Sequence, residues 1–140
     1  MDTGLLAPII MASTMAASAA GLDALRWERR VLLVFSSAAG EAEAKRQETL
    51  LKGRERDLEE RRMTVIAVSG DVVRVLAGPS APDLSAEDLR RRTGVGDAPF
   101  AAVLVGLDGG TKWTSQRPAS LDDINAVVDA MPMRRAGTDR

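Results

Sequence analysis

The sequence predicts an α/β domain in which a small mixed central sheet is flanked by helices. Three observations lead there. Val31 to Phe35 and Met63 to Asp71, the latter ending at Gly70, are apolar runs without polar alternation, the pattern of strands buried on both faces. Between them, Gly40 to Arg62 is rich in Ala, Glu, Lys and Arg, a helical composition. A strand–helix–strand unit of this kind needs parallel strands. Finally, Phe100 to Gly106 is followed by Asp108-Gly109-Gly110 and then by Thr111 to Thr114, the pattern of a tight turn joining antiparallel strands.

Taken in order, Leu22 to Arg30 reads as a short linker or helical turn, with Trp27 expected over the edge of the core. The first strand enters its helix through Ser36, Ser37, Ala38, Ala39 and Gly40. In that helix Glu41 precedes Lys45, and Glu48 precedes Lys52, by four residues, a favourable spacing. Ala44, Gln47, Leu50, Leu51 and Leu58 form its apolar stripe, and Gly53 weakens it near the middle. The charges from Arg54 to Arg62 mix signs, as on a solvated helical face. Val72 to Leu76 is β-branched and short, an edge strand or a loop. Ser85 caps a helix with Glu87 and Asp88 in its first turn, which stops near Gly94. Its Arg90, Arg91 and Arg92 point to different sides and form no single patch. Pro99 starts the third buried strand. Ser120 caps a last helix with Leu121, Ile124, Val127 and Val128 facing the sheet, and Pro132 ends it.

Composition excludes more chemistry than it suggests. The chain of 140 residues has one domain's worth of core and a formal net charge of −1, which offers no overall attraction to nucleic acid. It has no cysteine, so disulfides, thiol redox cycling and Cys-ligated metals are excluded. Without histidine or tyrosine, it also lacks a Ser-His-Asp triad, an imidazole metal site and a phenolic acid. No cofactor is expected.

The amino terminus has a different character. Leu5 to Met15 is apolar and is followed by small residues in the pattern of a signal-peptidase site, with cleavage after Ala19 or Ala20. The start carries Asp2 and no Lys or Arg, whereas signal peptides begin with positive charge. Cleavage removes Asp2 and no basic residue, which takes the formal charge from −1 to 0. The run is short for a transmembrane span, so no stable membrane anchor is expected after cleavage. The expected organisation is a signal peptide over 1–20, a linker over 21–29, the domain over 30–135 and a tail over 136–140, with a periplasmic or secreted location.

Strand, helix, strand, helix, hairpin and final helix is the thioredoxin arrangement. Arg30–Ser37 ("RVLLVFSS"), Gln47, Glu55–Leu58 ("ERDL"), "APFAAVLVGLDGG" with Lys112, and above all "VDAMPMRR" (Val128 to Arg135) resemble the domain of unknown function 4174 family, also called P-DUDES. This is a thioredoxin- and peroxiredoxin-like group. The resemblance covers about Arg29 to Arg135. It implies a thioredoxin-like fold, export in bacteria and no settled activity. It also places Pro99 where thioredoxin-like proteins carry a cis-proline, and the redox motif's position at Ser36 to Ala39. Leu107 departs from the family, which usually shows lysine there.

The candidate ligand-binding residues are Ser36, Ser37, Pro99, Asp108, Lys112, Arg134 and Arg135, with no catalytic residue and no metal. Ser36 to Gly40 and Ala98-Pro99 should lie side by side, as a groove for a peptide or protein partner. The bland reading is that Ser36 and Ser37 only cap the helix. Asp108 is most simply a turn residue bonding its own backbone. Met131 and Met133 fit core packing better than a Cu(I) site, with Arg134 or Arg135 pairing to Asp129 or Asp108. The expected function is thus an exported non-redox binding or structural module. The alternative is a cysteine-free enzyme that resembles peroxiredoxins in shape only.

Overall fold

The computed structural model describes residues 21–132. Its frame is β1 (Arg30–Ser36), which pairs on one edge with β2 (Met63–Ser69) in parallel and on the other with β4 (Phe100–Val105) in antiparallel. β3 (Val72–Ala77) adds outside β2, and β5 (Thr111–Ser115) outside β4, both antiparallel. The five strands run in the order β3-β2-β1-β4-β5. The segment Val72 to Leu76 is therefore an edge strand rather than a loop. This is the expected thioredoxin-like order of a parallel βαβ unit and an antiparallel hairpin, with β3 as an added edge.

The non-alternating runs are buried because helices cover both faces. Leu32, Val34, Met63, Val65, Ala102 and Leu104 face α1 (Glu41–Leu51), α2 (Glu55–Glu60) and α4 (Leu121–Asp129), meeting Leu51, Leu58, Leu121, Ile124 and Val128. Leu33, Phe35, Ile66, Val68, Ala101 and Val103 face α3 (Ala86–Thr93) and a 3-10 turn over Gly21–Leu25, which contribute Leu89, Leu22 and Leu25. Residues 21–25 thus supply core rather than only a link.

Three local expectations are corrected. The helix expected over Gly40 to Arg62 is two helices, because Lys52 turns extended and Gly53 takes a positive φ of 78°. Glycine enters that region without the clash a Cβ brings. Glu48 is bound by Arg74 of β3 at 3.0 Å rather than by Lys52. Trp27 does not cover the core: its φ of 67° turns the side chain outward, and it is 56% exposed. Its backbone N–H donates to the Leu107 carbonyl at 2.7 Å, while Leu22 and Leu25 fill the core beside it.

Buried polar groups fasten these layers. Gln47 is fully buried, and its amide donates to the Ala119 carbonyl and accepts the Ala119 N–H, both at 2.9 Å. The segment leading into α4 is thereby clamped to α1. Arg29 makes a two-pronged pair with Glu59 at 3.0 Å and donates to the Met63 carbonyl, and this guanidinium holds the Glu59 carboxyl below its usual range. Ser85 and Ser120 cap α3 and α4 as expected, accepting the Asp88 and Asp123 N–H groups.

Candidate functional site

The strand register sorts the candidate residues between the two ends of the sheet. Ser36 lies opposite both Ser69 and Phe100 at the carboxyl end of β1, so Pro99, one residue before β4, arrives beside the Ser36 to Gly40 turn. Asp108 and Lys112 belong to the β4–β5 hairpin at the amino end of β1, where Val31 faces Val105. Six strand steps make that separation roughly 20 Å, so Lys112 and Ser36 do not act on one substrate. Met133, Arg134 and Arg135 lie outside the described residues, as does their expected pairing. Arg61 reaches Asp129 through both Nε and Nη2, at 3.1 and 3.0 Å.

At the carboxyl end the turn and the proline are joined by backbone. The Ser37 N–H donates to the Pro99 carbonyl at 3.0 Å, and the Gly40 N–H donates to the Ser37 carbonyl at 3.0 Å. Gly40 packs so closely that a Cβ there would lie 1.9 Å from the Pro99 oxygen. The Ala98–Pro99 bond is trans. Proline has no N–H to donate, and its carbonyl already serves Ser37, so what Pro99 presents outward is its ring. Ala38, Ala39 and Pro99 are exposed together.

The serines do not cap α1. Ser37 makes no side-chain capping bond, and Gly40 occupies the cap of α1. Ser36 is buried, with its Oγ 3.3 Å from the Ser69 Oγ. A hydroxyl beside a hydroxyl has no base to activate it.

Arg90 is the site residue that the sequence reading passed over. Its guanidinium donates to the Gly70 carbonyl at 2.6 Å and the Ser36 carbonyl at 3.3 Å, and lies 5.9 Å from the Phe35 ring centroid. It therefore binds the carboxyl ends of β1 and β2 together through charge-assisted bonds. The signal was present: Ala86, Leu89, Arg90 and Thr93 recur at helical spacing on one face of α3. Arg91 and Arg92 turn elsewhere, to Asp88 and Asp23.

Two shallow depressions flank this mouth. One, of about 480 Å³, is lined by Asp71, Glu87, Arg90, Arg91, Gly94, Gly96 and Asp97 on the α3 side. The other, of about 380 Å³, is lined by Ala42, Glu43, Arg46, Arg117 and Pro118 on the α1 side. Among the described residues, no three His, Cys, Asp or Glu side chains converge as a metal site.

The family profile of the domain of unknown function DUF4174 matches residues 21–137. The chain belongs to this family. A solved structure titled "Structural and functional characterizations of a thioredoxin-fold protein from Helicobacter pylori" is similar to this chain at 20% identity, with a TM-score of 0.47, over 73% of this chain and 68% of that one. No curated protein matches the chain. Leu107, where the DUF4174 resemblance leads one to expect lysine, is 4% exposed.

At the other end, the Asp108 carboxylate accepts the Gly110 N–H at 2.9 Å and pairs with the Lys112 ammonium at 3.0 Å. The Gly110 N–H first, and Lys112 second, hold its pKa below the usual 3.8. A carboxyl with a lowered folded-state pKa stabilises the fold above its unfolded pKa, and that stabilisation is lost as pH falls through the folded value. Asp108→Asn keeps the turn acceptor and removes the charge. It should cost only about 0.5 kcal/mol at pH 7, because the pair is exposed. In urea melts the two proteins should converge as pH falls below 3.8. A gap that does not narrow at all as the pH is lowered through the acid range contradicts this.

Gly40→Ala should lower stability by about 1–3 kcal/mol and speed amide exchange at Ser37, because the clash is with backbone. Ala39→Gly, at the exposed neighbour, should change stability by less than about 1 kcal/mol. An unchanged midpoint for Gly40→Ala would contradict the Gly40–Pro99 contact.

Proposed function

We propose that this chain is an exported, non-redox thioredoxin-like module that binds an extended peptide across the mouth formed by the Ser36 to Gly40 turn and Pro99. The observation that carries this reading is the backbone joint. Ser37 and Gly40 are fixed against Pro99, which leaves a preformed saddle of small exposed side chains between two depressions. A preformed surface saves a ligand the ordering cost of building its own site. The non-redox part of the reading is supported by the chemistry available: the chain has no thiol, imidazole or phenol, and among the described residues the Ser36 hydroxyl is bonded to that of Ser69.

Export is supported by the character of the amino terminus, an apolar run closed by small residues, and by a family match that begins at residue 21. Among the described residues no helix is long and apolar enough to cross a membrane.

The binding test is an NMR titration of residues 21–140 with unstructured peptides, starting from proline-containing nonapeptides. Amide shifts should concentrate at 37–40 and 94–99, and Ala39→Arg should abolish them without moving the melting temperature. Shifts scattered over the surface would remove the groove. A peroxide-consumption assay on the same protein should give the buffer rate, whereas turnover would favour the cysteine-free enzyme.

For export, intact mass and amino-terminal sequencing of protein from a periplasmic extract should show a start at Ala20 or Gly21. A chain retaining Met1 or Asp2 in the cytosol contradicts it.

A further inference from the structure

The two depressions beside the mouth carry opposite uncompensated charge, and this bears on what kind of peptide fits. On the α1 side, Arg46 and Arg117 are exposed and line one depression with Pro118. Neither has a carboxylate within ion-pair distance among the described residues, whereas Arg29, Arg54 and Arg61 all meet carboxylates. The third charge there is Glu43, so the net balance is one positive charge. On the α3 side, Arg91 is paired with Asp88 and Glu87, and Arg90 is turned onto the Ser36 and Gly70 carbonyls. Asp71 and Asp97 are exposed there with no cation within ion-pair distance among the described residues, and together with Glu87 they outnumber Arg90 and Arg91 by one negative charge.

We infer that the mouth takes an extended peptide of dipolar charge, with acidic side chains at Arg46 and Arg117 and basic side chains at Asp71 and Asp97. This rests on the groove reading above and adds the partner's chemistry to it. Helices α1 and α3 cover opposite faces of the sheet, so the depressions stand on the order of 20 Å apart. About six extended residues span that distance. Strand addition at Pro99 is blocked, since proline has no N–H and its carbonyl serves Ser37. Discrimination therefore falls to side chains, and carboxylate with guanidinium is the strongest match available.

Fluorescence anisotropy with labelled nonapeptides tests this. The probes are Glu-Glu at one end and Lys-Lys at the other of a neutral Ala-Val-Pro-Val-Ala centre, the same peptide with the ends exchanged, an all-acidic version and an all-Gln version. Both end orders are included because the direction of the bound chain is open. One dipolar order should bind roughly fivefold tighter than the Gln version at low salt, an advantage of the size exposed pairs supply, and lose most of it at 1 M salt. Glu43→Gln should strengthen it by about twofold. Arg46→Glu with Arg117→Glu should cancel the preference between the dipolar and Gln peptides without moving the melting temperature, because both side chains are exposed.

Equal affinity for all four peptides overturns the charge reading and leaves the groove standing. Tightest binding of the all-acidic peptide also overturns it, since Asp71 and Asp97 would then play no part. Binding by none removes the groove and the charge reading together.

Discussion

Everything else in the molecule depends on β1 being hydrogen-bonded on both edges, in parallel to β2 and antiparallel to β4. A strand held this way has no free backbone edge, and burial of both faces requires it to be apolar throughout, as Val31 to Phe35 is. The parallel neighbour forces a crossover, which α1 and α2 supply on one face. The antiparallel neighbour brings the chain back so that residues 98 and 99 arrive where β1 ends. The mouth is thus a by-product of strand direction: Ser36 lies opposite Ser69 on one side and Phe100 on the other.

At that mouth the backbone does what side chains do elsewhere. Unpaired N–H groups at the start of a helix need partners, and serine is the usual supplier. Here Ser37 gives its own N–H to Pro99, and glycine takes the cap. Glycine is required by the 1.9 Å approach a Cβ would make to the Pro99 oxygen, not by an unusual φ. The buried Ser36 hydroxyl is bonded to the partly buried Ser69 hydroxyl, and Arg90 takes the carbonyls at the strand ends. The result is a surface at which the backbone and hydroxyl groups of the turn are already bonded to one another.

The sequence made the sheet legible because burial leaves a composition signature. Continuous apolar runs marked β1, β2 and β4, and Asp108-Gly109-Gly110 marked the hairpin with Asp108 bonding its own backbone. The stripe of Ala44, Gln47, Leu51 and Leu58 was legible too, with Leu50 only partly buried beside it, although its division at Gly53 was not, since helical spacing survives a short break. What escaped was decided by tertiary contacts. Trp27 is carried outward by a left-handed turn that propensity does not foresee. Ser36 and Ser37 had the right residue type for capping, but the local backbone had a better partner in Pro99. Arg90 stood in a run of three arginines, and only its common face with Ala86 and Leu89 set it apart. The proximity of Ser36, Ser37 and Pro99 follows from topology and is readable, and the same topology sets Asp108 and Lys112 at the opposite end of β1.

Net charge is a poor guide to such a surface. The formal value of −1 sums cancellations of two kinds. Where Arg54 sits between Asp57 and Asp122, or Arg29 on Glu59, opposite charges within 3 Å leave little field outside. Where Arg46 and Arg117 stand on one side of the mouth and Asp71 and Asp97 on the other, cancellation occurs only across the whole molecule. At physiological ionic strength a field extends about 8 Å before screening, less than the roughly 20 Å between helix layers on opposite faces of a sheet. Each side of the mouth therefore presents its own sign to anything that lies on it. Such exposed charges add little to folding, so the proposed recognition is where their separation would have a physical consequence. With thiol chemistry absent from the chain, shape and charge are what this mouth offers on the proposed peptide-binding reading.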